Sequence, residues 1–210
     1  MAKVYSRVIR TRQGPAAAAR PPRRRHAATT RDAILASARL AFARAGYDGA
    51  GVREIAAGAG VTAMLVNRYF GSKERLFAEV VVATMATPTI LTPEILESPA
   101  PGHAIAAALV NITKTGATPL EGFQIMLRSA SSARAAEIGR ELIERHYHKV
   151  MTEALSGALA PQRAALVLSL VAGFQVMRQM MGLSALAEAK PAALIKILAP
   201  LFQQLVDGDR

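Results

Sequence analysis

The sequence predicts an all-α protein, and three observations carry that prediction. Apolar residues make up 51% of the chain and recur at helical spacing from Thr29 onward. Glycine and proline gather in a few short stretches and seldom interrupt the middle and C-terminal parts. No stretch alternates apolar and polar residues as a half-buried strand would, and no repeat of fixed period appears.

With 210 residues the chain can bury a sizeable core. Its apolar content argues against global disorder. It has no cysteine, so disulfides, thiolate metal sites and a cysteine nucleophile are excluded. The longest nearly uncharged run, Ala164 to Met177, is 14 residues, short for a bilayer and ample for a buried helix. The first residues lack the apolar core of a secretory signal. A cytoplasmic protein is expected.

Charge is uneven along the chain. Residues 1–28 carry eight Lys and Arg and no acidic residue, which leaves 18 basic against 15 acidic residues elsewhere. Pro15, Pro21, Pro22 and the run Ala16 to Ala19 favour a basic disordered arm over 1–28. Such an arm can add phosphate contacts or enter a minor groove. It can equally be a solvated extension, and its composition also suits an organelle-targeting peptide.

The elements then follow in order. Thr29 and Asp32 have the spacing of a capping box, Ile34, Leu35, Ala38, Leu40, Ala41 and Phe42 form an apolar stripe, and Gly46 closes the helix. A second helix spans Val52 to Gly58, and a third runs from Thr62 to about Phe70. Ser72 caps a fourth that reaches Thr87. Residues 88–101 hold four prolines, the expected boundary between a small N-terminal domain at 29–87 and a second domain at 88–210. Beyond it helices are expected near 102–115, 119–131, 133–159, 161–183 and 189–206, with a kink at Pro200.

The short third helix, in GVTAMLVNRYFGSKERLF, is the informative one. Ala56, Gly60 and Val66 have helix–turn–helix spacing. A small residue lets the two helices approach, a glycine permits the sharp turn, and a valine faces inward. Thr62 can cap the third helix or reach a phosphate. Ala63, Met64, Leu65 and Asn67 are then left on the outward side. A helix this short is stable only when its neighbours hold it, and its shape suits the major groove of DNA. Arg68 is either a DNA contact or a solvated charge, and Phe70 is expected in the core.

Residues 30 to 80, through AFARAGYDG and VREIAAGAGVTAMLVNRYFGSKERLF, resemble the DNA-binding domain of the TetR family of bacterial transcriptional regulators. LVNRYFGSK resembles the branch whose recognition helix ends in LV-x-RYFGSK. The resemblance implies a DNA-binding regulator, most often a repressor, with a larger C-terminal domain that binds a ligand and dimerises. It implies phosphate contact by Arg53, base contacts from Thr62, Ala63, Met64 and Leu65, a backbone contact by Tyr69, and a phosphate site at Lys73. Gly51 stands where the family has a capping hydroxyl, and Asn67 where an aromatic is common. Asn67 can pair with a base edge such as adenine.

Helix 161–183 is apolar nearly all round its first half, which calls for burial on more than one side. Paired with helix 189–206 it can form a four-helix bundle with a second copy, although the same helices also suit a monomer's core. For an unknown small-molecule effector the candidate pocket residues are Phe123, Met126, Phe174, Gln175, Met177 and Arg178. The same apolar stripe also suits ordinary core packing. His146 and His148 in ERHYHK point to different sides of a helix and make a poor metal site. No cofactor, metal or catalytic cluster is evident, so an enzyme is not expected. The function read from the sequence is a sequence-specific DNA-binding regulator, a homodimeric, ligand-released repressor. The alternative is a sequence-independent architectural DNA-binding protein.

Overall fold

Helix follows helix along the chain, as the apolar periodicity requires. The structure, a computed structural model, describes residues 23–85, 90–114 and 121–208. The expectations for residues 1–22 and for the end of the fourth helix at 86–87 lie outside this range. Among the described residues there is no strand.

Helix α1 (Arg23–Gly49) begins before the Thr29 capping box, because the preceding arginines and alanines are themselves good helix formers. The last six residues assigned to the arm are therefore helical. α1 bends at Gly46, where the expected stop lies. α2 (Val52–Gly58), α3 (Ala63–Phe70) and α4 (Lys73–Met85) follow. Next come a single turn, α5 (Pro93–Leu96), and α6 (Pro101–Ile112). α7 (Glu121–Ser129) and α8 (Ala133–Ile143) lead through a π-helical turn, Glu144–His148, into α9 (Lys149–Ala154). α10 (Ala160–Gln175) also ends in a π-helical turn, Val176–Met180. After the short α11 (Ser184–Ala187), α12 (Pro191–Asp207) runs on through Pro200 without being ended by it.

Two apolar cores hold these helices. In the first, Phe42 and Tyr47 each pack edge to face with Phe77, 5.1 Å between ring centres, and stack on each other at 6.2 Å. Each buried ring contributes about 1.5–3 kcal/mol, and each aromatic pair about 0.5–1.5 kcal/mol more. Ile125, Ile138 and Leu142 from α7 and α8 belong to this core, so it crosses the proline-rich stretch that separates the two halves of the sequence. The second core gathers Ile105, Leu109, Met151, Val167, Leu198 and Phe202.

Within the second core α6 and α12 touch backbone to backbone. A Cβ on Gly102 would lie 2.5 Å from the Gln203 nitrogen and 2.7 Å from the Ala199 oxygen, so only glycine fits there. The Gly102 amide donates to Gln203 Oε1 at 2.9 Å. Arg163, buried at the start of α10, donates to the carbonyls of Leu205 and Val206, each at 3.0 Å. It thereby satisfies acceptors that the end of α12 leaves open.

α10 with its π-helical turn, Ala160–Met180, makes 21 residues that by length and composition are apolar enough to cross a bilayer. The shorter uncharged run in the sequence understates this, because the helix includes two buried arginines, Arg163 and Arg178. Both donate hydrogen bonds to protein carbonyls, which partly replace the lost hydration.

Candidate nucleic-acid interface and effector cavity

The α2–α3 unit is closed at each joint by a local bond. Gly60 takes a φ of 66°, and the Val61 amide donates back to the Ala56 oxygen at 2.9 Å. That left-handed conformation is the one the turn glycine was expected to supply. Thr62 Oγ1 accepts from the Leu65 amide at 3.3 Å, and Ser72 Oγ accepts from the Arg75 amide at 3.2 Å. Gly51, before α2, makes no side-chain cap.

Inside α3, Val66 and Phe70 are buried and the Arg31 guanidinium lies 5.0 Å above the Phe70 ring. The outward side presents Thr62, Met64, Asn67 and Arg68 to solvent, with Met64 80% exposed. Leu65 and Tyr69 are half-buried. Ala63, at the first position of α3, is likewise half-buried and packs on the first core. Arg53 is exposed in the first turn of α2, and Arg44 ties up the neighbouring Glu54. Lys73 opens α4 with its ammonium 4.6 Å above the Tyr47 ring. A cation at a helix N-terminus opposes the helix dipole, and the ring face offsets this.

A cavity of about 400 Å³ lies among α1, α4, α7, α10 and the π-helical turn after α8. Phe123, Met126, Val171 and Gln175 line it, together with Thr84 of α4 and Tyr147 of the turn. Two charged groups on its wall, Arg39 and Glu121, pair with each other at 3.0 Å. Burial pushes the Tyr147 phenol above its ordinary value.

Three expected pocket residues lie elsewhere. Phe174 packs in the second core, and Met177 is exposed off the cavity. Arg178 donates to the Val110 oxygen at 2.8 Å, Thr113 Oγ1 at 2.9 Å and the Leu186 oxygen at 3.1 Å. It is a structural brace, and desolvation lowers its pKa. Conversely, Arg39, Thr84, Glu121 and Tyr147 were not singled out. The first three come from separated segments, and Tyr147 is turned inward by a π-helical register that no sequence pattern announces. His148 Nε2 sits 2.8 Å from the Pro161 oxygen, and among the described residues no three His, Asp or Glu side chains gather to hold a metal.

Several large apolar side chains on the two long C-terminal helices face outward, among them Leu166 at 55%, Ile197 at 63% and Leu201 at 45% exposure.

Residues 34–80 match the family model for bacterial regulatory proteins of the tetR family, and residues 101–206 match the tetracyclin repressor-like C-terminal domain. No curated protein is similar to the chain at a significant level. Among solved structures, a TetR-family regulator from Streptomyces coelicolor is 23% identical, with 89% of this chain and 99% of that one covered and a TM-score of 0.54. A TetR-family protein from a Rhodococcus species is 19% identical over 86% and 100%, with a TM-score of 0.61. NalD of Pseudomonas aeruginosa, the secondary repressor of the MexAB-OprM multidrug efflux pump, is 19% identical over 88% and 100%, with a TM-score of 0.56. At these identities the likeness is one of fold. With family models matched on both sides of the proline-rich stretch, the chain belongs to the TetR family of transcriptional regulators.

Proposed function

We propose that the protein is a homodimeric repressor that binds its operator through α3 and leaves it when a small molecule fills the cavity. The observation that carries this reading is the outward face of α3. A helix of eight residues, capped and anchored by Val66 and Phe70, holds Met64, Asn67 and Arg68 in solvent. Met64 and Leu65 suit thymine methyl groups, Asn67 suits an adenine edge, and Thr62, Arg53, Arg68, Tyr69 and Lys73 suit the phosphate backbone. Ala63 contributes only its small exposed part.

The exposed Leu166, Ile197 and Leu201 support a second copy packed against α10 and α12. Two such protomers set two recognition helices on half-sites about one helical turn apart. The cavity wall includes Arg39 of α1 and Thr84 of α4, so an occupant touches helices of the DNA-binding half directly. Release follows if the occupant binds better to the protein off DNA than on it. The division into a basic arm at 1–28, a DNA-binding domain at 29–87 and a ligand-binding and dimerisation domain at 88–210 is part of this reading, as is action in the cytoplasm.

A titration against the DNA upstream of its own gene, with unrelated DNA as competitor at two salt concentrations, tests the proposal. A specific operator is favoured by about 4–10 kcal/mol over unrelated DNA. Equal binding that collapses with salt would instead support the architectural alternative.

A further inference from the structure

We propose that the cavity takes an uncharged, mainly apolar molecule carrying one hydrogen-bonding group, which Gln175 receives. This inference rests on the effector reading above and narrows it to a chemical class.

Gln175 is a polar group on the cavity wall that no described residue pairs. Its residue is 3% exposed, it lines the cavity, and its amide makes no hydrogen bond with any described residue. Among the described residues the sealed, unpartnered polar side-chain atoms are Ser98 Oγ and Thr152 Oγ1, so the Gln175 amide still reaches open space, where a guest can meet it. Other buried polar side chains nearby are used: Ser129 donates to the Ile125 oxygen at 2.6 Å, and Arg178 makes three bonds. An amide that both donates and accepts can meet a hydroxyl, a carbonyl or an N–H of a guest.

The charges on the wall fix the rest of the class. Arg39 and Glu121 neutralise each other at 3.0 Å, and the remaining wall includes Phe123, Met126 and Val171. That pair sits at the wetter edge of the cavity, with the Arg39 and Glu121 side chains 51% and 33% exposed, so a charged guest deeper in would lie among Phe123, Met126 and Val171 without a counter-charge, which is costly. An uncharged guest leaves the pair intact. The phenol of Tyr147, held protonated by its desolvated setting, can join the same guest as donor.

A matched pair of fluorescent probes reads the class directly: N-phenylnaphthylamine, uncharged with one N–H, and its sulfonated analogue of the same aromatic body. The expected result is saturable binding of one uncharged probe per chain. The sulfonate should bind weaker by on the order of tenfold. Gln175→Met keeps the volume and removes the amide, so it should weaken the uncharged probe about fivefold. It should leave the N-methylated probe, which has no N–H, unchanged. That retained binding guards against a misfolded Gln175 variant, and Ala172→Phe, which fills the cavity from α10, should abolish binding of the uncharged and the N-methylated probe and so places both in the cavity. Sulfonate binding as tight as that of the uncharged probe, or indifference to Gln175→Met, would overturn the proposal. Operator binding measured on the same samples separates the two readings. A protein that grips DNA specifically but takes no uncharged probe keeps its role as a regulator and loses this effector class.

Discussion

The backbone amide of Tyr47 donates to the Ser129 hydroxyl at 2.9 Å, and that hydroxyl donates in turn to the Ile125 oxygen at 2.6 Å. One buried side chain thus ties the end of α1 to α7. The same seam carries a bond from Ser132 Oγ to Asp48 at 3.0 Å and one from Arg128 to the Arg44 oxygen at 3.3 Å. Ser129→Ala leaves the Tyr47 amide without an acceptor in a dry setting. The expected loss is about 1–3 kcal/mol of stability, read by urea unfolding. A change within a few tenths of a kcal/mol would mean that water replaces the hydroxyl.

Gly102 sets a second, stricter contact. Alanine at a helical position normally gains up to about 1 kcal/mol over glycine. Here its Cβ would press on the Gln203 nitrogen and Ala199 oxygen, both backbone atoms that cannot rotate away. Overpacking of this kind costs about 1–3 kcal/mol, so the clash wins and Gly102→Ala destabilises. Thermal unfolding with Ala104→Gly as a helix-propensity control measures it.

Along α3, neighbouring side chains should separate stability from binding. Met64→Ala touches an exposed side chain, so unfolding should move by less than about 0.5 kcal/mol while operator affinity falls by about 1 kcal/mol. Phe70→Ala empties the core beneath the helix and should cost about 3–5 kcal/mol. If both variants lose stability alike, the outward face of α3 is not a free surface.

Among the described residues Leu159 is the non-glycine residue with a positive φ, 56°, and it is exposed at the start of α10. An L-residue with a branched side chain holds that conformation at a cost of roughly 1–2 kcal/mol, which asparagine largely avoids. Leu159→Asn should therefore stabilise the protein by about 1 kcal/mol in chemical denaturation. Destabilisation instead would point to an apolar contact that Leu159 makes with a second copy of the chain.

How much could be read in advance depends on the distance over which each feature is decided. Thr62, Ser72, Gly60, Val66 and Phe70 act within a few residues of themselves, and their roles followed from spacing alone. The start of α1 was misjudged because a capping box at Thr29 competes with arginines and alanines that continue the helix. Ala63 and Leu65 are each half-exposed, a degree of burial that spacing alone does not give, because the first turn of α3 leans on the core. The cavity was half legible. Phe123, Met126 and Gln175 share it, but Arg178 has the same composition-level signature as a ligand contact and is spent on the carbonyls of Val110 and Leu186. Which of two similar polar residues faces a cavity is settled by contacts between distant helices, and a π-helical turn shifts the register further.

The alkaline limit of stability should trace to Tyr47. Its phenol is held above the ordinary value of 10.0, first by burial and then by the nearby Glu74 carboxylate. The folded protein therefore resists losing that proton more than the unfolded chain does. Below pH 10 both states are protonated and the contribution is complete. As pH climbs through the unfolded and then the folded pKa, the unfolded chain ionises first and stability drains away. Tyr147, raised by burial alone, adds a slope of the same sign. Denaturation midpoints measured from pH 9 to 11 should fall steadily, and Tyr47→Phe should flatten part of that fall. The opposite outcome, a midpoint unmoved by Tyr47→Phe across this range, would mean that the Tyr47 hydroxyl is hydrated in the folded state and that the seam beside Lys73 is wetter than its packing implies.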